Sequence, residues 1–265
     1  MPEDIVIRPI GVVQSQYTDP KNVPVSSQES VVKIFPEYAE ALFRIEENSH
    51  LWILTWFHLA HRDALSTIPY RVNPHMQKRG VFGLRSPIRP NPIALTLVQL
   101  IRVEGTALHV AGLDAVNNTP VLDVKPYFEG DIVFSPRTPH IRPAKREMQR
   151  NIFSKQALTH HQEECPGLLA AVRMAMLAEE RLGRLNSPDL YITVEGPPCL
   201  ADTLQGLSKA RLANPSRFAY RPSDSPGRSI WRRGKKVLDI TLKREIDRNE
   251  FLNMADSDIF DVASE

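Results

Sequence analysis

At 265 residues, 42% hydrophobic and 24% charged, the chain is long enough for two globular domains, and it has no apolar run of membrane-spanning length. Its 33 Lys and Arg against 31 Asp and Glu give a formal charge of +2, which excludes a global basic field and confines any nucleic-acid contact to local patches. Two cysteines exclude a disulfide framework and, with a Met-Pro-Glu-Asp start unlike a signal peptide, predict a cytoplasmic protein with no membrane partner.

Residues 5–15 alternate weakly between apolar and polar positions and predict a first strand. Residues 16–28, with Pro20 and Pro24, predict a loop; residues 31–35 predict a second strand and 36–43 a short helix or turn. The apolar run over 51–57 predicts a strand buried on both faces. His58 closes it, in a position that suits a structural hydrogen bond. Residues 62–79 are polar, interrupted by proline and carry His75, Lys78 and Arg79. They read as a mobile loop that either touches nucleic-acid phosphates or is simply solvated.

Next comes Arg85-Ser86-Pro87-Ile88-Arg89-Pro90-Asn91-Pro92-Ile93-Ala94-Leu95. Prolines 87, 90 and 92 fix their own φ and push the preceding residues towards extended geometry. The stretch therefore presents Arg85, Arg89 and Asn91 from a stiff backbone that runs into a strand over 93–103. It reads either as a binding wall or as a proline-rich connector. Glu104-Gly105-Thr106 makes a turn, 108–113 pairs back as a hairpin, and 119–124 adds another strand. Short strands and tight turns, without a long amphipathic helix, predict an all-β, barrel-like first domain. No glycine-rich turn opens a helix after the first strand, so a Rossmann-type nucleotide fold is not expected.

A second stretch, Gly112-Leu113-Asp114-Ala115-Val116-Asn117-Asn118-Thr119-Pro120-Val121-Leu122-Asp123-Val124-Lys125-Pro126-Tyr127, joins the proline wall in a recognisable order. Together with Pro9-Ile10-Gly11-Val12-Val13-Gln14-Ser15 and the run from Ser49 to His58, these residues resemble the TrmO family. Its members are S-adenosylmethionine-dependent methyltransferases acting on a hypermodified adenosine beside the tRNA anticodon. The resemblance covers roughly residues 5–145. It implies cofactor contacts at Pro24, Gln28, Phe57, His58, Arg85, Leu95, Asn117, Asn118, Thr119 and Pro120, and a homodimer with cofactor near the interface. The family's P-R-Q-like tripeptide is replaced here by Val23-Pro24-Val25-Ser26-Ser27-Gln28, which lacks the arginine.

Methyl transfer is an in-line displacement, so alignment of donor and acceptor accounts for much of its rate. The family's acceptor, N6 of threonylcarbamoyladenosine at tRNA position 37, is a weak nucleophile that gains from a nearby base or hydrogen-bond acceptor. Asp123, Lys125 and Tyr127 alternate along one strand and share a face. They are candidates for the reaction centre, or Asp123 and Lys125 simply pair with each other. Arg85 and Arg89 are candidates to neutralise the threonyl carboxylate, with Asn91 beside them on the substrate side.

Residues 128–160 change character. Arg137, Arg142, Lys145, Arg146 and Arg150 crowd a stretch kept irregular by prolines 136, 139 and 143. It reads as a basic linker that contacts tRNA phosphates or is merely solvated. The first domain is therefore assigned to 1–145, and 146–265 to this linker and a second, α+β domain. Residues 167–182 predict the best helix, with Leu168, Leu169, Val172, Ala175 and Met176 on one apolar face and Gly183 as a stop. A strand is expected over 190–194, a helix over 200–212, and a hairpin over 229–242 turning at Arg233-Gly234-Lys235. The acidic tail from Glu250 is expected to fray.

His161-Gln162-Glu163-Glu164-Cys165-Pro166-Gly167 and Pro198-Cys199-Leu200-Ala201-Asp202-Thr203-Leu204-Gln205 resemble segments of FmdE-type domains, which are often metal-binding. His161, Cys165 and Cys199 supply three donors suited to zinc, with Glu163 or Asp202 able to add oxygen, or else the cysteines are packing residues. Two other functions stay open. In one, the chain methylates or senses a small molecule or metal cofactor held by the second half. In the other it is a non-catalytic binding module, since Asn117 stands where the family often has aspartate.

Overall fold

The computed structural model describes residues 5–24, 29–136 and 138–265. The chain divides into two units, Met1–Ile132 and Val133–Glu265. The expected division at 145/146 thus falls inside the second unit, where Ser135 donates to Lys209 O at 2.8 Å and Asn186 donates to Pro136 O at 3.1 Å.

In the first unit the strands are β1 Gly11–Gln14, β2 Glu29–Ile34, β3 His50–Trp56, β4 Ser66–Thr67, β5 Arg79–Gly80, β6 Ile93–Glu104, β7 Ala107–Ala111 and β8 Pro120–Pro126. Six of them close into an antiparallel barrel in the order β1-β2-β7-β6-β3-β8, while β4 and β5 form a separate two-stranded ribbon. β1 begins at Gly11, short of the expected residue 5, because Pro9 has no amide hydrogen for a ladder. Gly11 itself is needed: a Cβ there would sit 2.4 Å from Lys33 O on β2. Val13, Val32, Ile34, Leu51, Ile53, Val98, Leu108, Val110 and Val121 fill the interior, each stabilising the fold by roughly 1.5–3 kcal/mol on burial.

β3 corrects one expectation. Leu51, Ile53 and Thr55 face the interior and are buried, but Trp52, Leu54 and Trp56 are only half-buried. A closed barrel walls in one face of each strand, so the apolar run is buried on the inner side alone. On the outer side Trp52 stands opposite Leu97, and Leu54 stands between Leu95 and Asp123.

The pairings also place the connections. Gln14 is opposite Val31, Glu29 opposite Ala111, Trp56 opposite Ile93 and Thr55 opposite Val121. The β1–β2, β3–β6 and β7–β8 connections therefore all leave the barrel at one end. The β6–β7 turn at Gly105, and the 3₁₀ turns between β2 and β3, lie at the other.

The second unit is built around α2 Pro166–Leu182, flanked by α1 Arg146–His161 and α3 Pro198–Ser208. α1 replaces most of the expected irregular linker. Prolines 136, 139 and 143 all precede it, so none interrupts its hydrogen-bond ladder. α2 is buried continuously from Leu168 to Glu179 rather than on one face. Its alanines 170, 171, 175 and 178 are small enough for neighbours to close round it on every side.

A mixed sheet, β10-β9-β11-β12-β13, accompanies the helices, with β9 Leu190–Gly196, β10 Phe218–Pro222, β11 Arg228–Arg233, β12 Lys236–Leu242 and β13 Phe260–Ser264. β10 runs parallel to β9, with α3 in the connection between them. The β11–β12 hairpin turns at Gly234, whose φ of +59° suits glycine. The tail does not fray. α4 Arg248–Asn253 and α5 Asp256–Ile259 lead into β13, which pairs with β12. The buried Arg173 fastens this region, donating to Phe251 O at 2.6 Å, Met254 O at 2.9 Å and Asp256 Oδ1 at 2.8 Å.

Glu179 is buried on α2, where it accepts from Gln149 Nε2 at 2.6 Å. Burial raises its carboxyl above the usual range, and the Gln149 hydrogen bond only partly offsets this. The folded state thus binds this proton more tightly than the unfolded state does, so the group's contribution to stability is lost as pH rises through its folded pKa. Glu179→Gln keeps the hydrogen-bond acceptor and removes the buried charge. It should raise Tm at pH 8 and give a smaller gain as pH falls to 4; an equal gain at both would contradict the assignment.

Candidate functional site

Most of the expected cofactor residues gather at one end of the barrel. The β6 and β8 entries flank the C-terminal end of β3, with Ile93 opposite Trp56 and Val121 opposite Thr55. Phe57 continues β3, its amide donating to Pro92 O at 2.8 Å, and His58 follows, exposed. On the β8 side, Asn117 N donates to Tyr17 O at 2.6 Å, Asn117 Oδ1 accepts from Ser15 N at 3.2 Å, and Asn118 N donates to Val13 O at 2.8 Å. Asn118 has φ +62°, and Pro120 opens β8 opposite Val12. These bonds stitch residues 117–120 to the start of the β1–β2 loop, which carries Pro24. Gln28, with residues 25–27, lies outside the described residues. Arg71 pins the β3–β6 connection to the same loop, donating to Val23 O and, at 3.3 Å, to Pro20 O.

The arginines of the proline wall differ from each other. Arg85 is exposed, and its guanidinium makes no hydrogen bond or ion pair among the described residues. Arg89 is half-buried and donates to Ser86 O at 2.9 Å, to Val81 O at 2.7 Å and to Leu84 O. It stiffens the wall from within. Asn91 is exposed, and its carbonyl accepts from Ile93 N at 2.8 Å. Arg62, not anticipated as a site residue, donates to Pro90 O at 3.0 Å and lies 5.1 Å over the Trp56 ring. Nothing in its local sequence signals that stacking.

Asp123, Lys125 and Tyr127 project from the barrel's outer face beside Leu54, Trp52 and His50. Asp123 Oδ2 meets Lys125 Nζ at 2.8 Å and Oδ1 accepts from Val124 N at 2.9 Å, so both carboxylate oxygens are engaged. Tyr127 packs edge-on to His50, at 6.4 Å, and against Trp52, at 5.9 Å. This places it at the far end of β8, roughly 20 Å along the strand from residues 117–120. Leu95, 48% exposed, and Leu97, 37% exposed, lie on the same outer face. One copy of the chain does not bring Tyr127 to the loop-bearing end.

In the second unit three helix ends converge. His161 closes α1, Cys165 caps α2 with its sulfur accepting from Leu168 N at 3.4 Å, and Cys199 lies in the first turn of α3. Their ligand atoms all lie within 4.8 Å of one another. His161 Nε2 stands 3.4 Å from Cys165 Sγ, against about 3.5 Å for two ligands of one tetrahedral zinc. Its Nδ1 meets Asp202 Oδ2 at 2.7 Å, and a proton held there by the carboxylate would turn the Nε2 lone pair towards Cys165 and a metal. Asp202 is therefore placed to orient the histidine. Burial first, then Cys165, pushes the Cys199 thiol up. Gly167 allows α2 and α3 to meet here, since a Cβ would come 2.8 Å from Cys199 Cβ. The donors, their spacing and the carboxylate behind the imidazole fit zinc.

No helix among the described residues is long and apolar enough to cross a membrane. Residues 12–131 match the model of the tRNA-methyltransferase O N-terminal domain, and residues 160–259 match that of FmdE, molybdenum formylmethanofuran dehydrogenase operon. A probable S-adenosyl-L-methionine-binding protein of Archaeoglobus fulgidus is 35% identical across 80% of this chain and 60% of its own. The chain therefore spans less than two thirds of that relative's length. A probable S-adenosyl-L-methionine-binding protein of Methanothermobacter thermautotrophicus is 45% identical across 48% of this chain and 92% of its own. A rat tRNA (adenine(37)-N6)-methyltransferase is 36% identical across 52% of this chain and 35% of its own. The chain belongs to the family of the tRNA-methyltransferase O N-terminal domain, joined here to an FmdE-type second half.

Proposed function

We propose that this chain is an S-adenosylmethionine-dependent methyltransferase acting on N6 of threonylcarbamoyladenosine at tRNA position 37, in the cytoplasm. The observation that carries the reading is the emergence of the three connections bearing Pro24, His58 with Arg85, and residues 117–120 from one end of a closed barrel. The relatives named as S-adenosyl-L-methionine-binding proteins and as a tRNA (adenine(37)-N6)-methyltransferase support it.

The residues at this end suit the cofactor. Thr119 Oγ1 is fully buried there without a hydrogen-bond partner among the described residues, and residues 117–120 are braced by the β1–β2 loop. When bound, S-adenosylmethionine supplies a methyl group on positively charged sulfur. Pro24, Phe57, His58, Leu95 and residues 117–120 would hold it, with Gln28. Arg85, exposed and without a partner among the described residues, would meet the threonyl carboxylate; Arg89 would keep the wall rigid; Asn91 would contact the base. Asp123 would accept from the acceptor N6–H once Lys125 turns to substrate, with Tyr127 as the neighbouring donor.

The distance of Tyr127 from residues 117–120 favours a homodimer in which the outer face of one copy completes the loop-bearing end of the other. His161, Cys165 and Cys199 would bind zinc as a structural tie between helices. A second reading rests on that triad: the second half would hold a metal or small-molecule acceptor for the barrel.

Incubating the purified chain with methyl-labelled S-adenosylmethionine and tRNA from cells lacking the gene tests the choice. Nucleoside mass spectrometry should show label in the hypermodified adenosine. Label confined to a small molecule, or no transfer at all, would move the assignment to the second reading or to a binding module.

A further inference from the structure

We propose that residues 58–92 read single-stranded RNA, with the rings of Tyr70 and Phe82 stacking on unpaired bases. This deepens the tRNA reading and rests on it.

Charge is the first observation. These 35 residues hold six Lys and Arg and one Asp, a formal +5 on a chain whose total is +2, so the remainder is acidic at −3. Local basic excess on a nearly neutral protein is the footprint of a phosphate contact, and an acidic peptide is the only other common partner for it. The aromatic side chains favour RNA.

Tyr70 is 74% exposed and Phe82 is 82% exposed. Single exposed apolar residues are ordinary on protein surfaces. These two differ because the backbone beneath each is fixed. Tyr70 sits in the tip carried by the β4–β5 ribbon, where Tyr70 N donates to Ile68 O at 2.7 Å and Val72 N donates to Pro69 O at 3.0 Å. The next residue, Arg71, is clamped to the β1–β2 loop. Phe82 lies in a 3₁₀ turn, Val81–Gly83, whose Val81 is buried; the carbonyls of Val81 and of Leu84, which follows the turn, both accept from Arg89.

Rings presented from a braced backbone lose little freedom on binding and offer a face to any base. Anticodon-type loops expose such bases, while paired stems do not. Lys78 and Arg85 make no hydrogen bond or ion pair among the described residues and remain available to phosphates or carboxylates. Arg62, Arg71 and Arg89 are engaged with the protein's own carbonyls, which separates positioning cations from contacting ones.

The test uses the full chain, a labelled RNA hairpin with an unpaired loop, and the same stem as a closed duplex, with affinities read by fluorescence anisotropy. Tyr70→Ala and Phe82→Ala should each weaken hairpin binding between about fivefold and about a hundredfold and change duplex binding little. Tyr70→Phe should stay near wild type. Lys78→Gln should weaken both and flatten the slope of log affinity against log salt by about 0.7–0.9. Unchanged melting temperatures would show that the exposed rings do no folding work. Hairpin affinity unchanged in both alanine variants, or equal losses on duplex, overturns the proposal. Methyl transfer by the wild type is measured alongside. Activity with unchanged affinities sinks the stacking surface alone, whereas ring-dependent binding without transfer sinks the methyltransferase reading and leaves the surface standing.

Discussion

Cys199→Ser should strip most of the zinc from protein purified without chelator, taking the content from near one ion per chain to less than about a tenth of that. Cys165→Ser should do the same. Each removes one of three soft or borderline donors gathered within 4.8 Å, and a hydroxyl is a poor replacement for a thiolate on zinc. Asp202→Ala should act more mildly, weakening zinc by about 10–100-fold, because it frees the imidazole that Asp202 orients through Nδ1 without deleting a ligand. The second unit has a large core of its own, so it should survive metal loss with a Tm lower by several degrees rather than unfold. The change should be concentrated where α1, α2 and α3 end. Methyl transfer should persist, since the barrel residues lie in the other unit. Elemental analysis showing metal-free wild-type protein would leave Cys165 and Cys199 as packing residues.

The sequence revealed elements whose signal is local and hid those decided by long-range pairing. Strand-like runs separated by Glu104-Gly105-Thr106 and by residues 112–119 announce an all-β domain, and that domain is a barrel. What they do not carry is closure, and with it the sidedness of β3: Trp52, Leu54 and Trp56 look as buried as Leu51 and Ile53 until the strand is bent round an interior. α1 was obscured because its buried positions, Gln149, Phe153 and Ala157, form a stripe one residue wide among charges, one of them polar. β13 was obscured because Phe260 is its only buried residue, and pairing with β12 holds the rest. In the candidate site, residue types survived better than roles. Arg85 and Arg89 look equivalent in R-S-P-I-R-P, yet among the described residues the first has no partner and the second is consumed by three carbonyls. Likewise His161, Cys165 and Cys199 could be picked out as donors, while the hydrogen bond that makes Asp202 an orienter appears only when α3 docks beside α1.

That difference between the two arginines predicts opposite phenotypes. Arg85→Ala should lower kcat/KM about a hundredfold, the scale for deleting one partner of a desolvated, hydrogen-bonded charge pair, and leave Tm unchanged. Arg89→Ala should lower Tm and activity together, because Ser86, Val81 and Leu84 lose their donor. The geometry asks for a further step. Arg85 opens the wall that enters the loop-bearing end, while Tyr127 lies beside His50 at the opposite end. If two copies share each site, Arg85→Ala and Tyr127→Phe damage different contributors to it. Each variant alone should be nearly inactive. Mixed and reassembled in equal amounts, half of the dimers should be hybrid and each hybrid should hold one intact site, restoring about a quarter of wild-type activity. The assay is methyl transfer before and after exchange, with exchange verified by native mass spectrometry. Verified hybrids that stay as inactive as their parents would show that Arg85 and Tyr127 serve the same site from the same chain, and the shared-site dimer would have to be abandoned.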